Sequence, residues 1–473
     1  MTFAHPKHRF LAPVCGLLVL FGIAGCNPAM DTRTALIIQT LVDADRDLIA
    51  TRPMLVADKY QAMAEGLQPY LRGTALLFYR DLSRYQDSQA SVLHGTGAEQ
   101  VQLYGDVHLE NVGVTFDEAG PLLDVIDFDA TARGPFGWEV RRSALALRVA
   151  LSLGGVTESL LDSAVAQFGH SYAQLMIEQS QSQPPALFTV REQSTTAGRI
   201  ITDLLTDGRK RNEQREELSQ YSEVKDGVRL LLRNDDLVEL EEPWRSDLGQ
   251  MIAQYRASRH AGRGEDSYFV LLDAVRKLHS GVASLPNLRF WVMVQGSPLP
   301  DTTEPDSGVW LLEFKEERDP PVPSGWLGRG PVGSNGERVY SGTLALLGSA
   351  TSEPDLGYVT WGGVSFQVRR VLRGRRDLDV AKLSERIASS RYGSADLSDL
   401  ATTLGRLVAS GHAHGGKASA IAAVLTATDG TSGAFVTDLV QAVAIDQQRL
   451  ERDLALFQSA LALRGPLLGA RSN

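Results

Sequence analysis

The residues best suited to chemistry lie in two short motifs, GDVHLENVG at 105–113 and VIDFD at 125–129. An aspartate, Asp106, is followed five residues later by Asn111, and a second aspartate, Asp127, comes sixteen residues after that. In phosphoryl transfer, one Asp takes the proton of the attacking hydroxyl, while an Asn and a second Asp hold the Mg²⁺ ions. All three side chains carry oxygen, the ligand type that Mg²⁺ prefers. The spacing therefore predicts Asp106 as the base and the other two as metal ligands.

The flanking sequence predicts how these residues are positioned. Residues 101–104 are a short β-prone run, Gly105 permits a tight turn, and 121–126 has the pattern of a buried strand. The motifs would then lie on a loop and at a strand end, where rigid scaffolds present catalytic groups. A plainer interpretation stays open, since an Asp-x-His turn and an Asp-Phe-Asp stretch can also be polar residues that cap turns.

Apolar periodicity predicts helices over 31–65, over 199–262 and from about 380 onward. Between the last two regions come a Gly-containing turn and then strands separated by one helix. The turn is at 281–286, the strands are at 288–296, 308–315, 358–361 and 364–371, and the helix is at 337–347. The pair Gly362-Gly363 predicts a hairpin turn between the last two strands.

That order, with Lys315 on the second strand, is the layout of a kinase small lobe, but here it follows the catalytic motifs. The sequence predicts an α+β, protein-kinase-like two-lobed fold that is circularly permuted. Five parts are expected: a signal peptide (1–25), a tether with a first helix (26–50), a helical lobe (51–266), a strand-rich small lobe (267–378) and a C-terminal helical region (379–473).

The N-terminus has the features of a targeting segment. A basic start precedes an apolar run over 10–23, which is too short for an ordinary membrane span. It ends in Ile-Ala-Gly-Cys26, which resembles the lipobox of bacterial lipoproteins and implies lipidation of Cys26. Asn27 favours the periplasmic face of the outer membrane, since retention in the inner membrane usually needs Asp there. An uncleaved anchor or a wrongly assigned start is the alternative.

Composition narrows the classes of partner. The formal net charge of −10 over 473 residues excludes a general nucleic-acid binder. The chain has two cysteines, and Cys15 lies within the expected signal peptide. With Cys26 lipidated, no disulfide is expected despite an oxidising compartment.

Several further stretches, in order along the chain, carry a family resemblance. They are LRG at 71–73, FYRD at 78–81, GDVHLENVG at 105–113, IDFDATARGPFGWEVRR at 126–142, LEFKEE at 312–317, GERVYSG at 336–342, VRRVLRGRRD at 368–377 and SGHAHGG at 410–416. By these stretches the chain resembles the bacterial family known as domain of unknown function 2252. That family is similar to protein kinases and aminoglycoside phosphotransferases.

The resemblance implies a kinase-like phosphotransferase that uses Mg²⁺ and a nucleotide such as ATP on an unknown small-molecule or protein acceptor. Its expected residues divide by role. Asp106 is the base; Asn111, Asp127 and Asp129 are metal-binding; Lys315, Gly281 and Ser284 bind phosphate; His108, Arg72 and Glu337 support them. Glu337 is a candidate partner for Lys315, and His108 is expected to brace the loop by hydrogen bonding.

Two departures from the family pattern stand out. The turn reads Gly-Val-Ala-Ser-Leu-Pro at 281–286, where the family has roughly Gly-Val-Gly-Ser-Val-Gly. Close approach of backbone amides to phosphate is lost with the two glycines. Glu139 stands where the family usually has Asp.

Two other functions remain open. The altered turn, and the scarcity of ATP in the periplasm, favour a non-catalytic binding lipoprotein that reuses the fold. A metallophosphoesterase is the other alternative, because Asp106-Val-His108 and Gly411-His412-Ala-His414 match that class's outer motifs. Its middle motifs are absent from the sequence, and His412 and His414 fall at a helix end where structural roles are expected.

Overall fold

The computed structural model describes residues 31–84, 100–182, 188–192, 194, 197–213, 216–262, 268–296, 308–323, 333–348, 353–371, 374–414, 417–427 and 430–471. Within these ranges the protein is an α+β structure in which every strand pair is antiparallel. The predicted α+β class is confirmed. The expected lipidation site, Cys26, lies outside the described residues.

The strands of the described ranges form four sheets, of orders β1-β4, β14-β2-β3-β5, β6-β7 and β12-β13-β11-β10-β9-β8. In chain order they are β1 (Gln100–Leu103), β2 (Val112–Asp117), β3 (Gly120–Val125), β4 (Ala132–Pro135), β5 (Val190–Arg191), β6 (Ser222–Lys225), β7 (Val228–Leu231), β8 (Leu237–Glu239), β9 (Val270–Lys277), β10 (Arg289–Gln295), β11 (Val309–Glu316), β12 (Gly357–Trp361), β13 (Val364–Arg370) and β14 (Arg376–Asp377).

The helices of the same ranges surround these sheets. In chain order they are α1 (Thr32–Ala44), α2 (Arg46–Thr51), α3 (Pro53–Ala64), α4 (Leu67–Gly73), α5 (Ala75–Arg84), α6 (Phe136–Leu153), α7 (Glu158–Ser180), α8 (Gly198–Glu213), α9 (Glu216–Tyr221), α10 (Trp244–Ser258), α11 (Asn335–Leu347), α12 (Val380–Ala388), α13 (Ser394–His414), α14 (Ala418–Leu425) and α15 (Gly433–Arg464).

The helical prediction for 31–65 is confirmed, but as three helices. Asp31 caps α1, since its side chain accepts hydrogen bonds from the amides of Arg33 and Thr34. Pro53 occupies the first position of α3, where a missing N–H costs nothing and the fixed φ suits a helix. Asp31 and Pro53 therefore mark where α1 and α3 begin.

The helical prediction for 199–262 is wrong over 222–239. There the chain forms the β6–β7 hairpin and then β8, which pairs with the edge of the large sheet. The hairpin turns at Asp226-Gly227, and both residues have positive φ, of 52° and 79°. An Asp-Gly turn of this kind matches the twist of paired strands.

The six-stranded sheet contains the predicted strands. The four strand predictions from 288 to 371 correspond to β10, β11, β12 and β13, and the predicted helix is α11, so all five are confirmed. Gly362 and Gly363 make the hairpin turn between β12 and β13 with φ of 57° and 80°. One face of this sheet packs on α10 through a cluster that includes Tyr255 and Phe290.

A larger core joins the two ends of the described chain. Side chains of α1, α3 and α4 share one apolar cluster with α6, α7, α13 and α15. The long α13 lies against α7, and α15 lies against α6 and α7. Within the described ranges, no helix is both long and apolar enough to cross a bilayer.

Candidate functional site

A β-hairpin brings the two sequence motifs together. The GDVHLENVG loop leads into β2, and the Asp-Phe-Asp stretch follows β3. The β2–β3 hairpin therefore accounts for the sixteen residues that separate Asn111 from Asp127. Val112 pairs with Val125, and the amide of Ile126 donates to the carbonyl of Asn111 at 2.8 Å. Asp127 is thereby placed beside Asn111.

The loop that carries Asp106 needs a glycine before it. Gly105 has φ of 92°, and a Cβ there would lie 1.9 Å from the carbonyl oxygen of Ala130. Neither that φ nor that distance suits another residue. The side-chain amide nitrogen of Asn111 donates to the carbonyl of Asp106 at 2.9 Å, which leaves the amide oxygen of Asn111 for a ligand.

Asp106 is oriented by a buried arginine that the sequence prediction missed. The Nε of Arg142 donates to Oδ1 of Asp106 at 2.9 Å, and its Nη2 donates to the carbonyl of Leu71 at 2.6 Å. The Arg142 side chain is fully buried. Oδ2 of Asp106 makes no hydrogen bond to the described residues, so one carboxylate oxygen is fixed and the other is available.

A second buried group holds the start of the loop. Glu139, on α6, accepts hydrogen bonds from the amides of Tyr104, at 3.0 Å, and Gly105, at 2.5 Å. Nε2 of His412 lies 2.7 Å from the same carboxylate, and Nδ1 of His412 lies 2.9 Å from the hydroxyl of Tyr172. Glu139 and His412 are fully buried. Both ring nitrogens of His412 therefore have partners within the protein.

Lys315 reaches the same place from the six-stranded sheet. It lies on β11 opposite Arg289 of β10, and its Nζ is 3.2 Å from both carboxylate oxygens of Asp127. The ammonium also forms an ion pair with Oδ2 of Asp129. The prediction that Lys315 lies on a strand is confirmed, and its side chain faces Asp127 across the cleft.

The charges at this junction shift one another's pKa values. Burial opposes ionisation of Asp127, but the Lys315 ammonium, the hydrogen bond with Asp129 and the nearby arginines together outweigh it and hold the pKa of Asp127 below its usual range. Burial, and next the charge of Asp127, raise the pKa of Asp129 to about 6. Burial lowers the pKa of Lys315, and the two carboxylates more than reverse that, so its pKa is raised. Lys315 therefore carries a positive charge, and it pairs with two carboxylic acids whose pKa values are shifted in opposite directions.

These residues line one cavity of about 390 Å³, within the size range of small-ligand sites. Its walls include nine of the residues predicted for the site: Arg72, Asp106, His108, Asn111, Asp127, Asp129, Gly281, Ser284 and Lys315. Glu337 is not among the described residues that line it. Glu337 lies in the first turn of α11, where its amide donates to the hydroxyl of Ser334, and no ion pair joins it to Lys315 among the described residues.

Two supporting residues have contacts of their own. Arg72 forms an ion pair with Glu110 at 2.9 Å, which ties α4 to the catalytic loop. His108 is buried, Nδ1 of its ring has no hydrogen-bond partner among the described residues, and burial lowers its pKa to about 4. Its backbone carbonyl accepts from the amide of Asn111 at 2.8 Å, so the bracing contact comes from the backbone.

A cation-binding role fits the oxygen atoms in this cleft. Oδ1 of Asp129 is buried and has no hydrogen-bond partner among the described residues, and the amide oxygen of Asn111 is free for a ligand. Carboxylate and amide oxygens are the ligands that Mg²⁺ takes. The described residues contain no group of three or more His, Cys, Asp and Glu side chains placed to hold a metal.

The altered glycine turn connects β9 to β10 and forms one edge of the cavity. Gly281 has φ of 79°, and a Cβ there would approach the hydroxyl of Ser284 to 2.7 Å. Ala283, in place of the family's glycine, also lines the cavity.

One side of the cavity is formed by the six-stranded sheet, through side chains of β9, β10, β11 and β13, and is called the sheet wall below. Apart from Lys315, the sequence prediction missed the residues of this wall. Arg369 donates to the carbonyl of Ile126 at 2.8 Å, which ties β13 to the strand end before Asp127. Arg289, Lys277, Trp291 and Glu313 line the cavity beside it. Lys277 lies on β9, which was not predicted as a strand. Alternation along the predicted strands could have put the other side chains on one face, but only the pairing register makes them neighbours.

Comparison with known families identifies the chain. Its sequence matches, over residues 51–460, the family described as uncharacterized protein conserved in bacteria (DUF2252). The chain belongs to this family. Every described residue that lines the cavity, from Arg72 to Asp377, lies within the range matched to the DUF2252 family. No curated protein and no solved structure matches the chain.

Proposed function

We propose that this DUF2252 protein is a kinase-like phosphotransferase that uses Mg²⁺ and a phosphoryl donor such as ATP. The observation that carries the proposal is the junction of Lys315 with Asp127, 3.2 Å apart across one cleft that Asp106 and Asn111 also line. A lysine on a sheet, a base and two oxygen ligands on loops are the parts that phosphoryl transfer needs.

In the proposed reaction, Asp106 receives the proton of an acceptor hydroxyl. The hydroxyl oxygen bonds to the terminal phosphorus while the bond from that phosphorus to the bridging oxygen breaks. Arg142 fixes Oδ1 of Asp106, so Oδ2 is the proton-accepting atom. Asn111, Asp127 and Asp129 would hold Mg²⁺, which neutralises charge on the phosphates when bound. Lys315 would exchange part of its contact with the two aspartates for phosphate oxygens.

The element order supports a circularly permuted kinase-like fold as the finer description. The turn between β9 and β10, Lys315 on β11, the helix α11 and then β12 and β13 follow one another as in a kinase small lobe. The loop with Asp106 and the strand end with Asp127 precede them in the chain. We also propose lipid anchoring through Cys26 at the periplasmic face of the outer membrane, which the sequence of the first 26 residues supports.

A non-catalytic binding lipoprotein is the second candidate. Lys315 is already paired with two carboxylates, and the turn at 281–286 lacks two glycines that would let backbone amides approach phosphate. A metallophosphoesterase is the weaker alternative. It needs His412 as a metal ligand, whereas both ring nitrogens of His412 are engaged by Glu139 and Tyr172.

Calorimetric titration of ATP into the protein, with and without Mg²⁺, tests the proposal. We expect Mg²⁺-dependent binding that weakens about tenfold or more in Asp127→Asn, because a neutral oxygen replaces an anionic ligand. Asp117→Asn is the matched control, since Asp117 ends β2 at the other end of the hairpin and pairs with Arg191. ATP binding of the same affinity without Mg²⁺ and in Asp127→Asn would instead support the binding-protein alternative.

A further inference from the structure

The sheet wall of the cleft carries more positive charge than its own carboxylates balance. Arg289 lies opposite Lys315, and the pairing of Phe290 with Arg276 puts Lys277 on the other side of Arg289. Three cations therefore stand side by side on β9, β10 and β11. Like charges on directly opposed strand positions destabilise a sheet, so the arrangement favours a ligand that supplies the missing negative charge.

One carboxylate, Glu313, lies among the cations of this wall. Arg289 is 3.2 Å and Arg369 is 3.5 Å from it. Burial opposes its ionisation, but these two arginines, together with Lys315 and Lys277, outweigh that and hold the pKa of Glu313 below its usual range. A single negative charge is thus shared by two guanidinium groups.

Lys277 has no acidic side chain in direct contact among the described residues, although the charges of Glu313 and Asp236 act on it from farther away. Its Nζ is 3.8 Å from the centroid of the Trp291 ring and 5.7 Å from that of Tyr221. It makes no hydrogen bond or ion pair with a described residue, and it lines the cavity. An ammonium that is half-buried and whose direct contacts are aromatic rings can contact an anion without first breaking an ion pair.

The largest ring of this wall offers little surface to a planar base. Trp291 is its largest ring, but only 3% of it is exposed, Lys277 lies over its face, and Tyr221 packs against it edge-on with centroids 4.6 Å apart. Sites for ring-shaped ligands are usually lined by apolar and aromatic side chains. Here the charged side chains of Lys277, Arg289, Glu313 and Arg369 line the cavity beside Trp291.

We propose that this cleft recognises its phosphoryl donor through the phosphate chain alone, so that inorganic polyphosphate is the donor class. Lys277 and Arg289 contact phosphates beyond the one held at the Lys315–Asp127 junction. This inference rests on the proposed phosphotransferase function. In the transfer, the acceptor oxygen bonds to the terminal phosphorus, the bridging P–O bond breaks, the proton goes to Asp106, and the chain leaves one phosphate shorter.

Protonation of Lys277 gives this contact a pH dependence. Burial lowers the pKa of Lys277 to about 8, and the charged or titratable groups that face it are Glu313, Arg289, Asp236 and Tyr221. A bound anion favours the charged form. Affinity for polyphosphate should therefore fall as the pH rises above about 8, and Lys277→Arg should remove that fall because a guanidinium stays charged.

Calorimetric titration of the full chain in Mg²⁺ with sodium tripolyphosphate, ATP and adenosine tests the inference. We expect tripolyphosphate to bind within about threefold of ATP, and adenosine not to bind. Lys277→Met should weaken tripolyphosphate binding about tenfold, the loss expected for one charged hydrogen bond. Lys277→Arg should keep the affinity, and Lys225→Met, on the exposed β6–β7 hairpin, is the matched control. Thermal melts of each variant check that it is folded.

The outcomes separate this inference from the function on which it rests. If adenosine binds, or if ATP binds far more tightly than tripolyphosphate while remaining sensitive to Mg²⁺ and Asp127, the polyphosphate inference is overturned and the phosphotransferase proposal stands. A folded Lys277→Met protein with unchanged affinity also overturns it. If neither ATP nor tripolyphosphate binds, both proposals fail.

Discussion

The two walls of the cleft are built in opposite ways. The loop wall carries Asp106, Asn111 and Asp127 within 22 residues of sequence, and buried groups such as Arg142 and Glu139 hold it from behind. The sheet wall gathers its cations from four strands spread from β9 to β13, and its charges are only partly compensated.

That difference indicates a division of labour. A wall whose polar groups are fixed by buried hydrogen bonds is suited to positioning, which under the proposed function would supply much of the catalysis in phosphoryl transfer. A wall with excess positive charge is suited to attracting and holding an anion. Damage to the first should therefore cost stability and turnover, and damage to the second should cost affinity.

The largest effect is expected from removing the support of the loop wall. Glu139→Ala leaves the amides of Tyr104 and Gly105, together with His412, without their buried partner. We expect the free energy of unfolding to fall by about 3–5 kcal/mol. Urea denaturation followed by circular dichroism measures it.

The matched control for this variant is Glu158→Ala. Glu158 is 78% exposed and shares Arg148 with Asp162, and exposed ion pairs contribute about 0–1 kcal/mol. If Glu139→Ala unfolded at the urea concentration of this control, the loop wall would not depend on its buried support.

A smaller effect concerns the point where the walls meet. The pKa of Asp129 is about 6 in the folded protein against 3.8 ordinarily, so the folded state binds more protons in this interval. Stability contributed by this group is then lost as the pH rises from about 4 to about 6. The depressed pKa of Asp127 acts at lower pH and in the opposite sense.

Asp129→Asn removes this titration. Its stability relative to wild type should increase across the same interval by on the order of 1–3 kcal/mol, measured by urea denaturation at pH 4, 5, 6 and 7. Parallel pH profiles for the two proteins would show that burial and the charge of Asp127 do not raise the energy of the ionised Asp129.

The sequence allowed us to predict that Asp106, Asn111 and Asp127 lie together, because these residues are close along the chain. The residues between Asn111 and Asp127 form the β2–β3 hairpin, and Gly105 marks the tight turn before Asp106. Lys315 was also predicted, since it ends a strand whose alternation is plain. The hairpin at 222–231 was missed because charged, helix-compatible residues surround it, although the Asp226-Gly227 pair is a recognisable turn signal.

The supporting and cationic residues could not be predicted in the same way. Glu139 and Arg142 lie on a helix whose other residues are mostly buried and apolar, and charged side chains are rarely fully buried unless paired. Their partners, His412 and Asp106, are distant in sequence. Lys277 and Arg289 become neighbours only through strand register, and a slip of one residue would turn each to the other face.

The most direct test of phosphotransferase function is to separate binding from turnover with Asp106→Asn. Arg142 can still donate to the amide oxygen, so the loop should keep its shape. We expect Mg²⁺-dependent donor binding within about threefold of wild type, with turnover of ATP or tripolyphosphate reduced about 10²–10⁴-fold because the proton acceptor is lost. Turnover equal to wild type in this folded variant would contradict the assignment of Asp106 as the base and, with it, the proposed reaction.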